Sequence, residues 1–522
     1  MRLRTMAVWL GLATLLPLVG CAGTTAGTAT SENSVIVIAD ADPDTLNPGL
    51  TTSTQTLDVQ SKIFEGLIWL DKDGQPQPQL ATSWEISPDQ LTYNFTLREG
   101  VKWHDGRPFT SADVQYSFQT LLKDNARSAT VLNRIGQIEA PDERTIRITL
   151  KAPYAPFLKQ MKVFDTPILP KHVYENTDIK TNPANRNPVG TGPFKFANWK
   201  VGQTITLVAN REYWATDQPK LDEVVFKIIA EPQNRINAMA TGEVDVLPAI
   251  YLPQANIAEL EGERDVEVHK QTSIPALYFV QMNEANPALA KPEVRRALTQ
   301  AIDRPRIVAQ AMGGLATPGY GSFGNGFPWM VNPDSSYDKL YPLDPDRARA
   351  EIAAAGGVPE LRLTYDSARP PFQAAAQIIK DNLARIGVQV RLEPAESSVN
   401  RDRVYAKRDF DLALQSFTSS GDPAIGYHRM YVTNPGRSAN VNATGYSNPR
   451  VDELLTQAAR VSDQAQRAAA YQQAQAMLDR DVPTLVLFDE QQADVNLTRV
   501  GGLYAGQNPS DQFGQVYVRQ GS

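Results

Sequence analysis

The sequence predicts an α/β fold spread over two or three domains, and three observations carry that prediction. Short β-branched runs recur along the chain and end in turn residues, as where Ser34-Val35-Ile36-Val37-Ile38-Ala39 gives way to Asp40-Ala41-Asp42-Pro43-Asp44. Leu361 to Tyr365, an apolar spacing at Phe372, Ala376, Ile379, Leu383 and Ile386, and then Val388 to Leu392 read as a βαβ crossover. The chain has 522 residues, of which 42% are hydrophobic and 21% charged, enough to build more than one large core.

Taken in order, Ser34 to Ala39 is a buried first strand. The alternation from Leu91 to Leu97 places every second side chain on one face, which predicts a solvated antiparallel sheet, and Thr145 to Leu150 repeats the pattern and joins it. Between them Ser111 to Leu122 has helical spacing in Val114, Phe118 and Leu121. Asn, Pro and Gly crowd Asn182 to Pro193, so a domain junction is placed there. Thr204 to Val208 and Val224 to Ile229 are strands, and Asn234 to Ala240 is a helix closed by Gly242. The pattern changes again near Pro275. Pro292 then opens a helix with Val294, Ala297, Leu298, Ala301 and Ile302 on one face. In the βαβ unit Gly387 stops the helix. A helical stretch near Ser398 to Ala406 leads to a strand at Phe410 to Gln415, which predicts a mostly parallel sheet covered by helices. Tyr471, Ala474, Met477 and Leu478 mark a late helix before Val482 to Phe488 returns as a strand.

The N-terminus reads as an export signal. Arg2 and Arg4 precede an apolar run from Met6 to Val19, and Leu18-Val19-Gly20-Cys21 resembles a bacterial lipobox, which would leave Cys21 as a lipid anchor. An ordinary secretory signal with an incidental cysteine is the alternative. Ala22 to Thr30, rich in Gly, Ala and Thr, then forms a flexible tether. No later segment approaches the ~20 apolar residues of a spanning helix. Cys21 is the only cysteine, so the mature body contains no internal disulfide. The formal charge of -7 becomes -9 once residues 1–20, with Arg2 and Arg4 and no acid, are removed. Such a surface disfavours nucleic acid, whose phosphates need clustered Lys and Arg.

Catalytic chemistry finds little support. His104, His172, His269 and His428 are far apart and form no zinc-type pair, so no metal or cofactor is expected. There is no Gly-x-Ser-x-Gly elbow and no phosphate-binding glycine run. Gly313 to Gly326, with Tyr320, Phe323, Phe327 and Trp329 in and beside it, reads as a packed loop or as aromatics lining a ligand cavity. A carboxylate pair for glycoside hydrolysis stays open on numbers of Asp and Glu alone.

Several ordered blocks carry a family resemblance. Ala81-Thr82-Ser83-Trp84-Glu85-Ile86-Ser87, Tyr93 through Trp103-His104-Asp105-Gly106, and Phe109-Thr110-Ser111-Ala112-Asp113-Val114 form the longest. Phe64-Glu65-Gly66-Leu67, Gly190-Thr191-Gly192-Pro193-Phe194, Gly242 to Val246 and Val294 to Arg304 agree. Together they resemble the family 5 extracellular solute-binding proteins, which serve dipeptide, oligopeptide and nickel ABC importers. The resemblance implies a periplasmic-binding-protein-like α/β fold: two α/β lobes joined by two crossings, with an extra subdomain on the first lobe. On this chain that gives a signal peptide over 1–20, a tether over 21–33, lobe I from 34–55, 185–272 and 483–522, its subdomain over 56–184, and lobe II over 273–482. In such a protein the Trp103–Gly106 motif is a tight turn, with His104 hydrogen-bonded rather than catalytic.

Ligand contacts are then expected beyond the carboxyl ends of the parallel strands. The strand at Phe410 to Gln415 points at Ser416-Phe417-Thr418-Ser419-Ser420-Gly421-Asp422-Pro423. In peptide-binding relatives an aspartate in this loop pairs with the peptide's ammonium group, and ungapped alignment on Asp422-Pro423 puts Ser419 in its place. Either Asp422 takes the amine or the ligand is not an ordinary peptide. Phe417, Thr418, Ser419, Ser420, Asp422, Tyr427 and Arg429 are therefore candidate ligand contacts, with Asp42, Leu46 and Asn47 facing them from the other lobe. Arg429 would grip a carboxylate in two-pronged fashion or form a structural ion pair, and Phe417 would stack on ligand or pack in the core. Asn283 is read as stabilising the crossing. The implied function is a monomeric, lipid-anchored receptor of the cell envelope. It would pass a peptide or peptide-like solute, an opine, an oligosaccharide or a metal chelate to an ABC permease and its ATPase. A secreted hydrolase and an envelope chaperone or scaffold are the alternatives.

Overall fold

The computed structural model describes residues 32–252, 256–508 and 513–519; the export signal, Cys21 and nearly all of the tether lie outside the described residues. One eleven-stranded mixed sheet organises the rest. Its two longest strands, Val266–Met282 and Thr484–Leu497, are antiparallel neighbours near the middle. They pair in two stretches, Val266–Gln271 against Gln492–Leu497 and Ala276–Gln281 against Thr484–Glu490, with the register broken between Gln271 and Ala276. Pro275 lies in that gap and has no amide hydrogen to give the ladder, so pairing fails there.

On one side of the break the sheet continues through Val246–Leu247, Ser34–Ala39, Glu223–Ile228, Thr204–Ala209 and Phe194–Lys200. On the other it continues through Leu412–Thr418, Leu361–Asp366 and Val390–Ala395. The polypeptide therefore passes between two half-sheets on two adjacent strands. Each half has an apolar core of its own. One gathers Phe279, Leu298, Ile379, Leu414 and Phe488 around the second half-sheet. Another joins Val35 and Phe226 of the first half-sheet to Phe95 and Ile148 of a separate four-stranded sheet, and a smaller cluster holds Ile38, Met239, Leu247 and Val495. At about 1.5–3 kcal/mol per buried Leu, Ile or Phe, these clusters dominate the stability of each half.

Local sequence accounts for most elements. Helix Pro370–Arg385 buries Phe372, Ala376, Ile379 and Leu383, and Gly387, at φ +85°, takes the left-handed turn that leads into Val390–Ala395, which pairs parallel with Leu361–Asp366. Helix Pro292–Ala301 starts on its proline and buries Val294, Ala297, Leu298 and Ala301. In the four-stranded antiparallel sheet, Tyr93, Phe95 and Leu97 point inward while Thr92, Asn94 and Thr96 do not, and Thr145–Leu150 pairs with that strand. Two expectations are corrected. The strand read as Phe410 to Gln415 is Leu412–Thr418, because Ser416, Phe417 and Thr418 stay in the ladder opposite Ala276–Tyr278. The sheet there is parallel in only three strands, since Leu412–Thr418 runs antiparallel to Val266–Met282.

The Trp103–Gly106 segment is a turn closed by Gly106 N–H donating to Trp103 O at 2.8 Å. His104 Nδ1 accepts from Gly190 N at 3.2 Å and its Nε2 lies 3.0 Å from Gly192 O. Burial pushes its pKa down to about 4, and a neutral ring with the proton on Nε2 satisfies both partners. A Cβ on Gly190 would overlap the Ile63 carbonyl, so only glycine brings this backbone close enough.

Candidate ligand-binding site

The two half-sheets enclose a cleft at the register break. Its central chamber, about 610 Å³, is walled by Thr54 and Ile250 from the first half, Ser416 and Arg429 from the second, and Glu490 and Gln492 from a crossing strand. A chamber of about 280 Å³ shares Thr54, Ala249, Ile250, Thr418 and Gln492 with it. A third, about 290 Å³, shares Arg369, Ser416, Phe417 and Arg429. Shared walls make the three one continuous cleft.

Its strongest polar features come from the second half. Arg369 sits where strand Leu361–Asp366 passes into helix Pro370–Arg385 and donates from Nη1 to Ser416 Oγ at 2.6 Å, with Asp366 Oδ2 3.8 Å from its Nε. Arg429 lays its guanidinium over the Phe417 ring at 3.7 Å and donates from Nε to Gly426 O at 3.0 Å. No acid pairs with Arg429 among the described residues, which removes the structural ion-pair alternative, and burial pushes its pKa below the ordinary arginine value. Across the central chamber burial raises Glu490, an effect moderated by hydrogen bonding from Gln492 and Tyr278 and by the charge of Arg369.

Of the sequence candidates, Phe417, Thr418 and Arg429 line the cleft. Asp422 does not, and this corrects its expected role. It is buried, caps the short helix Pro423–Gly426 by accepting from Ala424 N at 2.9 Å, and takes both Nη atoms of Arg467 at 2.9 and 2.5 Å. Both oxygens are committed to these contacts, away from the chambers. Ser419 is fully buried: its N–H donates to Pro275 O at 2.9 Å and its Oγ accepts from Gly421 N. Tyr427 is buried too, and its hydroxyl donates to the same Pro275 carbonyl at 3.2 Å. Both therefore clasp the break in the long strand instead of lining the chambers. Ser420, at φ +54°, forms the turn between them. From the first half, Asp42 accepts from Trp199 Nε1 and Gly202 N, each at 2.7 Å, Leu46 belongs to the core, and Asn47 donates to Asn185 Oδ1 at 2.8 Å. These three are structural, a second correction. Asn283 ties its strand to the Arg408 and Phe410 carbonyls, away from the cleft. Phe323 packs edge-on against Tyr431 and Tyr471, and Phe327 against Tyr427, so these aromatics of the glycine-rich stretch form a packed loop.

Sequence reading missed Thr54, Ile250, Arg369, Glu490 and Gln492. Only Arg369 carried a signal, since it follows the carboxyl end of a parallel strand. The Thr418 wall depends on Gly426, where a Cβ would overlap the Thr418 carbonyl. Gly426→Ala is expected to lower stability by about 1–3 kcal/mol by forcing that wall aside. Thermal melting checks this; an unchanged melting temperature would show that the loop yields freely.

A cleft walled by two half-sheets that share two strands defines a two-lobed binding protein. A family model described as bacterial extracellular solute-binding proteins, family 5 Middle, matches residues 75–439, and the chain belongs to that family. It is 28% identical to the probable D,D-dipeptide-binding periplasmic protein DdpA of Escherichia coli K12, over 88% of this chain and 89% of that one. It is 27% identical to the glutathione-binding protein GsiB of Escherichia coli O1:K1, over 96% of each. Among solved structures it is similar to the ABC transporter-associated periplasmic binding protein DppA of Helicobacter pylori in complex with peptide STSA, with a TM-score of 0.75 and 26% identity, covering 93% of this chain and 98% of that one. These relatives are substrate-binding transport proteins and not enzymes, which sets the hydrolase alternative aside, and they imply a location in the cell envelope.

Proposed function

We propose that the chain is the substrate-binding lipoprotein of an ABC importer, capturing a peptide or peptide-like solute and delivering it unchanged to a membrane permease. The observation that carries this reading is the continuous cleft between the half-sheets, with Arg429 stacked on Phe417 and free of any acidic partner among the described residues. A partly buried guanidinium with no acidic partner among the described residues would gain charge-assisted hydrogen bonds from a carboxylate on the solute. Segments 34–55, 185–272 and 483–522 act as lobe I, with 56–184 as its subdomain, and 273–482 as lobe II. Hinging near Pro275 closes them on the solute. Cys21 carries the lipid that holds the receptor at the membrane. What DdpA, GsiB and the peptide-bound DppA are named for supports a peptide-like ligand.

The test is thermal melting of the mature protein with di- to tetrapeptides and glutathione, followed by mass spectrometry of the recovered ligand. At a hundredfold excess over Kd, binding to the folded form alone stabilises by about 2.7 kcal/mol, so a clear rise in Tm with intact ligand is expected. No shift across the panel, or a cleaved ligand, would overturn the proposal.

A further inference from the structure

The third chamber has more positive charge than its own residues balance. Arg369, Arg401 and Arg429 line it, against one lining acid, Asp366. That acid is already engaged, accepting from Ser397 Oγ at 2.6 Å and Ala368 N at 3.0 Å. Glu490 opposes Arg369 from the central chamber, and Glu396 acts electrostatically on the exposed Arg401. Arg429 has no such counterpart: its partners are the Gly426 carbonyl and the Phe417 ring, and its Nη atoms donate to nothing among the described residues. A second, independent feature lies on the same wall. Gln415 accepts from the Tyr405 hydroxyl at 3.4 Å through Oε1, while its Nε2 is a buried donor with no acceptor. A buried donor left unmatched costs about 1–3 kcal/mol.

A charged side chain with free Nη donors and an amide with a spare buried donor, both on residues lining one small polar chamber, call for one kind of guest group. Resting on the peptide-like reading above, we infer that this chamber is an anion subsite that takes a side-chain carboxylate of the solute, seated on Arg429 and supported by Gln415 and Arg369. The solute is then an acidic peptide or peptide-like molecule, with a carboxylate beyond its terminal one. A side-chain carboxylate would pair with Arg429, whose planar guanidinium suits two-pronged contact.

The experiment is isothermal titration of the mature protein with tripeptides that differ only by Glu for Gln at one position, each position scanned, alongside their C-terminal amides. At one position Glu is expected to bind about tenfold or more tightly than Gln. Arg429→Gln is expected to erase that preference by weakening the Glu peptide about tenfold more than the Gln peptide, and Arg429→Lys to restore part of it. If Glu and Gln peptides bind alike at every position, the anion subsite is wrong while the transport reading stands. If Arg429→Gln cancels only the penalty of C-terminal amidation, the group at Arg429 is a terminal carboxylate and the subsite is again overturned. Absence of binding by any peptide would end both readings.

Discussion

Asp422→Ala is expected to lower folding stability by about 3–5 kcal/mol, the cost of breaking a buried ion pair from one side. Asp422 is 2% exposed and Arg467 8%, and the two meet through two hydrogen bonds of 2.9 and 2.5 Å. Truncation leaves the guanidinium shut away with its Ala458 carbonyl contact and the face of Trp329, neither of which cancels a charge. Loss of the cap on Pro423–Gly426 adds to the effect in the same direction. Urea denaturation should show the drop in midpoint, and Asp422→Ala with Arg467→Met should recover much of it, because an apolar replacement removes the stranded charge. Since Asp422 lies outside the chambers, Asp422→Asn should still capture ligand. Lost capture with unchanged stability would return Asp422 to the ligand and overturn this assignment.

The second large effect is a dependence of stability on pH. Asp489 is 6% exposed on the crossing strand, and burial pushes its carboxyl up to about 7, partly offset by the Asn325 and Gly326 amides. Its Oδ1 accepts from Asn325 N at 3.0 Å, whereas Oδ2 has no partner, which suits a proton there. The folded state therefore binds more protons than the unfolded one between about pH 4 and 7, and stability falls as pH rises across that window. At 1.36 kcal/mol per unit, the contribution lost by pH 8 is at most on the order of 4 kcal/mol. Burial raises Glu65 to about 7 and Asp479 to about 6, and both act with the same sign. His104 and His428, held neutral by burial, act with the opposite sign below about pH 6.5, so melting temperatures should fall with pH between about 6.5 and 8, and Asp489→Asn, which can still accept from Asn325 N, should flatten that slope without abolishing it. Identical slopes in wild type and variant would show that Asp489 is already ionised at about pH 6.5. Because Asp489 holds Gly324 to Gly326 against the strand that also carries Glu490, the same titration bears on the cleft wall.

Much of the fold was legible residue by residue, for a physical reason. Helix Pro370–Arg385 and its flanking strands are written in spacings of three or four and of two, set by backbone geometry within a few residues. Strand Leu412–Thr418 was legible only to Gln415, because Ser416 and Thr418 are polar and stay extended through pairing with Ala276–Tyr278, some 140 positions earlier in the chain. The candidate site shows the same divide more sharply. Asp422 and Arg429 stand seven positions apart in one loop, both charged and both plausible ligand groups. Arg467, arriving from helix Gln464–Asp481, consumed the first, and no acid among the described residues reached the second.

By itself, then, the sequence determined the α/β class, the family blocks, the βαβ unit, the small antiparallel sheet and the loop where the site would be sought. Tertiary structure alone decided which side chains in that loop meet solute, and brought Thr54, Ile250, Arg369 and Glu490 to the same cleft. The reason is range: backbone preference acts over one or two turns, whereas the pairing or isolation of a charge depends on what the remainder of the chain places within a few ångströms of it.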